Sequence, residues 1–290
     1  MNTHTMTLVK DYLTLCKPKV ILVMLVTTWV GMHLATQTFV AWQSFLWGTI
    51  GIALSGSAAA VINHLVDRHI DAKMSRTENR PLVHKRISVQ NAILFSILLA
   101  TSGLLILTFL VNPLTALLTL LTVLGYAVFY TLFLKRRTPQ NIVIGGAAGA
   151  MPPLLGWTAV SSETSAFAWL LVLIIFTWTP PHFWALAIYR KEDYQNANVP
   201  MLPNTHGIAF TKLFMVLYAI LLLVITLLPY ATHMSGILYL SCALILGILF
   251  LRQTIVLYKT ESNTIALKTF SFSIVYLLLL FSALLLDHYV

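Results

Sequence analysis

Nine stretches of this chain are apolar and long enough to cross a lipid bilayer, and that constrains its fold more than any other feature. They cover residues 20–36, 44–66, 90–111, 114–134, 141–160, 166–188, 209–230, 236–257 and 266–286, each near the roughly 20 residues a membrane helix needs. Hydrocarbon offers no partner to a bare peptide group, so such segments must be helices that satisfy their own backbone. With 58% hydrophobic and only 9% charged residues, the expected fold is an all-α, polytopic membrane protein. One domain over residues 1–290 is expected. The fifth stretch is the weakest. Its small residues Gly145, Gly146 and Gly149 let helices approach closely, and Pro152–Pro153 should kink or break it.

A net charge of +9 would suit nucleic acid if it formed a patch, but its placement reads as membrane topology. Lys and Arg gather at Lys10, Lys17 and Lys19, over 68–86 and 135–137, at Arg190, Lys191 and Lys212, and at Arg252, Lys259 and Lys268. The alternate loops 37–43, 161–165 and 231–235, and the link at Asn112–Pro113, contain none. By the positive-inside rule the segment 1–18 is cytoplasmic and the C-terminus lies outside. The surroundings are then a lipid bilayer, with no nucleic-acid partner. Residues 1–10 show neither a cleavable apolar segment nor an Arg-rich amphipathic one, which favours a bacterial inner membrane. Cys16 and Cys242 are too far apart in sequence to suggest a metal site or a disulfide.

Two cytoplasmic loops, 67–88 and 190–210, are longer than the other connections, and long loops in a compact bundle usually carry function. The first follows Asn63, Asp67 and Asp71, spaced i, i+4 and i+8. On a helix these fall within about 80° of one face and span roughly 12 Å. The chain has nine Asp plus Glu in all, and three of them (Asp67, Asp71 and Glu78) occupy this one stretch. Acids beside a hydrocarbon core call for a cationic partner. Their oxygens, together with Arg76, Arg80, Lys85 and Arg86, suit Mg²⁺ held with a diphosphate. The bland alternative is a solvated helix end with surface ion pairs.

A second group is Trp178, His182 and Trp184, followed by Tyr189, Arg190, Lys191, Asp193 and Gln195. If the helix runs on to Asp193, then Trp178, His182, Tyr189 and Asp193 share a face. An aromatic stripe of this kind would floor a pocket with a charged mouth; otherwise it is an interfacial aromatic belt. A third group joins Tyr126 and Tyr130 to Lys135, Arg136, Arg137 and Asn141, and reads equally as a stop-transfer cluster. Among the histidines, His33, His64 and His69 read as packing or flanking residues. His182 is favoured for function by its shared face with Tyr189 and Asp193.

Asn63-x3-Asp67-x3-Asp71, followed by Met74, Arg76-Thr77 and Arg80-Pro81, resembles the UbiA-type intramembrane prenyltransferases. Four further stretches are similar to the haem-farnesylating branch of that family. They are Lys135-Arg-Arg-Thr138 through Asn141 to Gly146, Gly149 through Pro152-Pro153 to Gly156-Trp157, Pro181-His182-Phe-Trp184, and Asp193-Tyr194-Gln195. The likeness covers nearly the whole chain. It implies nine spans around a central cavity, Mg²⁺ as cofactor, and farnesyl diphosphate and haem b as substrates. The product would be haem O for terminal oxidases, with haem A synthase or oxidase assembly proteins as partners. In that reading Asn63, Asp67 and Asp71 are metal ligands. Asp67, Asp71, Arg76, Arg80, Lys135, Arg137, Tyr189, Lys191 and Asp193 are catalytic. Asn63, Tyr126, Tyr130, Asn141, Trp178, His182, Trp184, Arg190 and Gln195 bind substrate. Ala197 stands where many relatives have a second acid four residues after Asp193, so the second loop offers one well-placed carboxylate. Two rivals stay open: prenylation of an aromatic or quinone-precursor acceptor, and a polytopic transporter, which would place ionisable groups near the membrane midplane.

Overall fold

The computed structural model describes residues 3–290, and every regular element among them is helical. In chain order these are α1 (Thr3–Cys16), α2 (Pro18–Leu34), α3 (Trp42–Asp71), α4 (Val89–Ile106), α5 (Pro113–Leu124), α6 (Asn141–Gly149), α7 (Pro152–Ser161) and α8 (Ala166–Tyr189). They continue with α9 (Lys191–Asn196), α10 (Leu202–Thr205), α11 (Ile208–Ile225), α12 (Leu228–Ala231), α13 (Ile237–Lys259) and α14 (Asn263–His288). Leu107–Val111 and Gly125–Leu134 extend α4 and α5 as π-helix.

Eight helical units are long and apolar enough to span a membrane, and a ninth results when α1 and α2 count as one span bent by 47°. The bend sits at Lys17, whose left-handed backbone (φ 53°) stands directly before Pro18. Asn141–Ser161 has the lowest mean hydropathy of the eight, 1.3. It breaks where the prolines require, with α6 ending at Gly149 and Pro152 opening α7. Pro at the first turn is tolerated because its missing N–H would have no helical partner there.

The helices pack through small residues, as membrane interfaces do when lipid removes the hydrophobic drive. A Cβ on Gly31 of α2 would lie 2.1 Å from the Pro153 carbonyl oxygen, and one on Gly156 of α7 would lie 2.0 Å from that of Thr28. The two backbones therefore cross in direct contact. Gly51 and Gly103 do the same for α3 and α4, each facing the other's carbonyl at 3.1 and 2.8 Å. Away from these seams the surface is apolar: Leu94, Ile97, Leu98, Phe109 and Leu117 are exposed, as lipid-facing side chains must be.

The ends of the spans are tied by polar caps. Asn112 accepts from the Thr115 N–H at 2.8 Å and donates to the Thr158 carbonyl at 2.8 Å. Asp287 of α14 accepts the Gly236 and Tyr239 N–H groups at the start of α13, where a carboxylate also favours the helix dipole.

Two sequence expectations need correction. Helix α3 continues through Asp71, so the first long connection is 72–88, not 67–88. Helix α8 stops at Tyr189 rather than reaching Asp193. Arg190 leaves the helical region (φ −107°, ψ 27°) and α9 begins a new direction. Neither Gly nor Pro marks that turn. The segment 190–210 carries two short helices, α9 and α10.

Gly156→Ala should destabilise the protein by about 1–3 kcal/mol through backbone overpacking. Gly149→Ala, whose Cβ would meet nothing within 4 Å, should be neutral or mildly stabilising. Thermal unfolding of the two purified variants in detergent distinguishes them; equal midpoints would refute the α2–α7 contact.

Candidate active site

The polar groups converge at one end of the bundle, where α3, the π segment 125–134 and α8 finish and α2 and α6 begin. Asn63, Asp67 and Asp71 do share a face of α3, and all three are buried, with Asp67 1% and Asp71 4% exposed. Each acid has met a cation. Lys135 reaches Asp67 Oδ2 at 2.5 Å, and Arg80 reaches Asp71 Oδ2 at 2.5 Å. Asn63 bridges the set, donating to Asp67 Oδ2 at 2.8 Å and accepting from Lys17 Nζ at 2.6 Å. These are interior ion pairs, so the solvated-surface alternative does not hold.

Lys17 joins the site from outside the Asn63–Asp67–Asp71 motif. Its charge reads as a topological marker in the sequence, and only the bend before Pro18 turns it onto Asn63. Arg80 and Lys135 each pair with one acid, and Lys17 adds a third basic group through Asn63. The cluster is therefore set up for an anion. Among the described residues no three of His, Cys, Asp and Glu group as a metal site. Asp67 Oδ1, however, is buried with no hydrogen-bond partner, the kind of oxygen that a cation completes. The residues fit an oxygen-ligated cation that arrives together with an anion, since Lys17, Arg80 and Lys135 already stand around the acids.

The π winding of 125–134 shapes the next wall. Gly125–Leu134 winds as π-helix, whose i→i+5 backbone bonding makes each turn wider than that of an α-helix. The Lys135 N–H accordingly donates to the Tyr130 carbonyl at 3.0 Å. Tyr126 and Tyr130 stack at 5.7 Å. The Tyr130 ring lies against Gly145, where a Cβ would come within 2.2 Å of it. Asn141 is fully buried, donates to the Thr138 carbonyl at 2.8 Å, and leaves its Oδ1 without a partner.

The second constellation divides. Trp178 and His182 stack at 4.2 Å on the α14 side of α8. Trp184 points away from them, packing against Phe214 and Tyr218. Beyond the helix end, Asp193 accepts from Ser75 Oγ at 3.0 and 3.2 Å and faces Arg190 at 3.6 Å. This contact joins the two long connections. Arg190 also lies over the Tyr189 ring at 4.9 Å. Ser75, Tyr189, Arg190, Lys191, Asp193 and Asn263 line a cleft of about 410 Å³. Burial holds the Tyr194 phenol above its usual range, opposed by Arg76 and reinforced by Asp193, so it stays a neutral donor. Arg76 and Gln195 are exposed. Arg137, also exposed, lies over Phe133 at 5.6 Å rather than on the acids.

Lys135→Met should leave Asp67 buried without its cation and cost on the order of 1–3 kcal/mol. Adding Asp67→Asn should recover most of that loss. Thermal unfolding without substrate checks this, and additive losses in the double variant would mean the pair does not interact.

The comparisons with known proteins agree along nearly the whole chain. A model of the UbiA prenyltransferase family matches residues 24–284. Protoheme IX farnesyltransferase 1 of Pseudomonas putida (strain GB-1) is 59% identical over 280 residues, covering 97% of this chain and 94% of that protein. Protoheme IX farnesyltransferase of Azotobacter vinelandii is likewise 59% identical over 280 residues, covering 97% and 94%. Among solved structures, one of digeranylgeranylglyceryl phosphate synthase has a TM-score of 0.81 at 21% identity, covering 98% of this chain and 99% of that one. A UbiA homolog from Archaeoglobus fulgidus bound to GPP and Mg²⁺ has a TM-score of 0.64 at 18% identity, covering 94% and 99%. The chain, a multi-pass membrane protein, belongs to the UbiA prenyltransferase family.

Proposed function

We propose that the protein transfers the farnesyl group of farnesyl diphosphate to a vinyl group of haem b, with addition of water, giving haem O and diphosphate. The observation that carries the chemistry is the buried pairing of Asp67 with Lys135 and of Asp71 with Arg80, with Lys17 held beside them on Asn63. The choice of acceptor is supported by the likeness to the protoheme IX farnesyltransferases.

In this reading Asn63, Asp67 and Asp71 would hold Mg²⁺. When bound, the metal supplies Lewis-acid charge stabilisation to the leaving group. Lys17, Arg80 and Lys135 are already fixed around the anion position, so little reorganisation is needed as negative charge develops there. Arg76 and Arg137 stand exposed at the same end and add further positive field. The allylic C–O bond breaks with its electron pair leaving on diphosphate. Tyr126 and Tyr130 turn π faces towards the allylic cation and keep water from it. The vinyl π electrons form the new C–C bond, water captures the resulting cation, and a proton is lost to solvent. Tyr189, Arg190, Lys191 and Asp193 close the site from α8 and α9, with Ser75 joining Asp193 to the opposite connection. Trp178, His182 and Asn141 line the acceptor side.

The whole chain acts as one intramembrane domain. The diphosphate end and N-terminus face the cytoplasm of a bacterial inner membrane, and the C-terminus lies outside. Haem A synthase or oxidase assembly proteins would receive the product.

Purified protein given haem b, farnesyl diphosphate and Mg²⁺ should yield a haem heavier by one farnesyl group plus water, read by chromatography and mass spectrometry. Chelation should abolish it, and Asp67→Asn and Asp71→Asn should each lower kcat by about 100-fold or more. Undiminished turnover of both variants at limiting Mg²⁺ would refute the metal assignment. Diphosphate release with an aromatic acceptor but no new haem would refute haem as the acceptor.

A further inference from the structure

His182 is held in a way that packing alone does not require. Its ring lies between Trp178 at 4.2 Å (19° between planes) and Phe270 at 4.5 Å (26°). Both faces are covered and the ring plane is fixed. At one edge Nδ1 meets Ser273 Oγ at 2.6 Å. Ser273 has a single hydroxyl proton, and it is directed at the Phe270 carbonyl at 2.6 Å. Ser273 Oγ therefore accepts from His182, which puts the proton on Nδ1 and leaves a lone pair on Nε2. Among the described residues Nε2 makes no hydrogen bond, yet it is not one of the sealed, unpartnered atoms of the interior. Ser273 is itself fixed, because the Trp178 indole N–H donates to its carbonyl at 2.8 Å.

The other described histidines differ. His64 is buried with both nitrogens sealed. His33 is engaged by Tyr289 and His288 by the Thr36 carbonyl, while His69, His84, His206 and His233 are exposed. His182 alone among them is buried, with one ring nitrogen anchored as donor and the other open. That is the arrangement of a metal-ligating histidine, whose second nitrogen donates to a fixed oxygen that sets tautomer and orientation.

Resting on the proposed haem substrate, we infer that His182 Nε2 is the axial ligand to the iron of the bound haem b, and that Ser273 is the positioning residue that fixes its tautomer. Ligation places the macrocycle in an apolar aromatic setting within the bundle and restricts which vinyl group faces the prenyl chain.

The test is titration of the full-length protein with ferric haem b, without farnesyl diphosphate, followed by absorption and electron paramagnetic resonance. The wild type should show a histidine-ligated haem. His182→Phe keeps an aromatic ring between Trp178 and Phe270 but should lose that signature and weaken binding about 10-fold or more. His182→Gly should lose it too and regain it with added imidazole, a rescue that an unfolded protein cannot show. Ser273→Ala should keep ligation but shift the haem midpoint potential, and Ser273→Thr should restore it; an unshifted potential would remove Ser273 from the assignment. Unchanged spectra in His182→Phe would overturn the ligand and leave the proposed reaction intact. Absence of haem binding by the wild type, with prenyl transfer to another acceptor, would overturn both.

Discussion

Two carboxylates on the last turns of α3 have to be kept inside the protein, and the arrangement around the site follows from how that is done. Removing an acid from water costs several kcal/mol unless opposite charge and hydrogen bonds replace the hydration. Here the compensation comes from three separate pieces of chain: Lys17 at the α1–α2 bend, Arg80 in the connection 72–88, and Lys135 at the end of the π segment. Each contact adds an electrostatic tie to a segment that buried side chains also hold, among them Leu15, Leu82 and Thr131. Thr77 adds a further tie, donating to the Asp71 carbonyl at 3.0 Å. The electrostatic need of two acids thereby orders the mouth of the bundle.

The framework on which those charges sit is made by close backbone approach. Crossings at Gly31–Gly156 and Gly51–Gly103 bring α2 onto α7 and α3 onto α4. The same logic reaches the site at Gly145, where a missing side chain admits the Tyr130 ring. Lys17 pays a local cost in its left-handed conformation, and such strain persists where surrounding contacts over-determine it. Its hydrogen bond to Asn63 and the following helix supply those contacts.

Charge and apolar surface are segregated along the molecule in the way a prenyl diphosphate is. The cations and acids occupy one end, and away from them aromatic rings pack together, with Tyr126 stacked on Tyr130 and His182 held between Trp178 and Phe270. A transporter would set its ionisable groups near the midplane; these lie at helix ends. The bridge from Ser75 to Asp193 is made by side chains of both long connections and ties them together at the mouth of the bundle.

Sequence alone determined the class of fold, because hydrocarbon admits only self-satisfied helices and the apolar stretches are counted directly. It also determined the Asn63–Asp67–Asp71 face, since i, i+4 spacing is local geometry, and the break at Pro152. Tertiary structure decided what local periodicity cannot carry. Lys17 enters the site through a bend, and Lys135 reaches Asp67 from the end of a segment that winds as π rather than α. Asp193 leaves the Trp178–His182 stripe because α8 turns at Arg190, where no Gly or Pro announces a stop. Trp184, two residues from His182, faces away from it, while Ser273, far along the chain, touches it. Those pairings depend on which helices lie side by side, and that is set by long-range packing between segments that share no sequence neighbourhood.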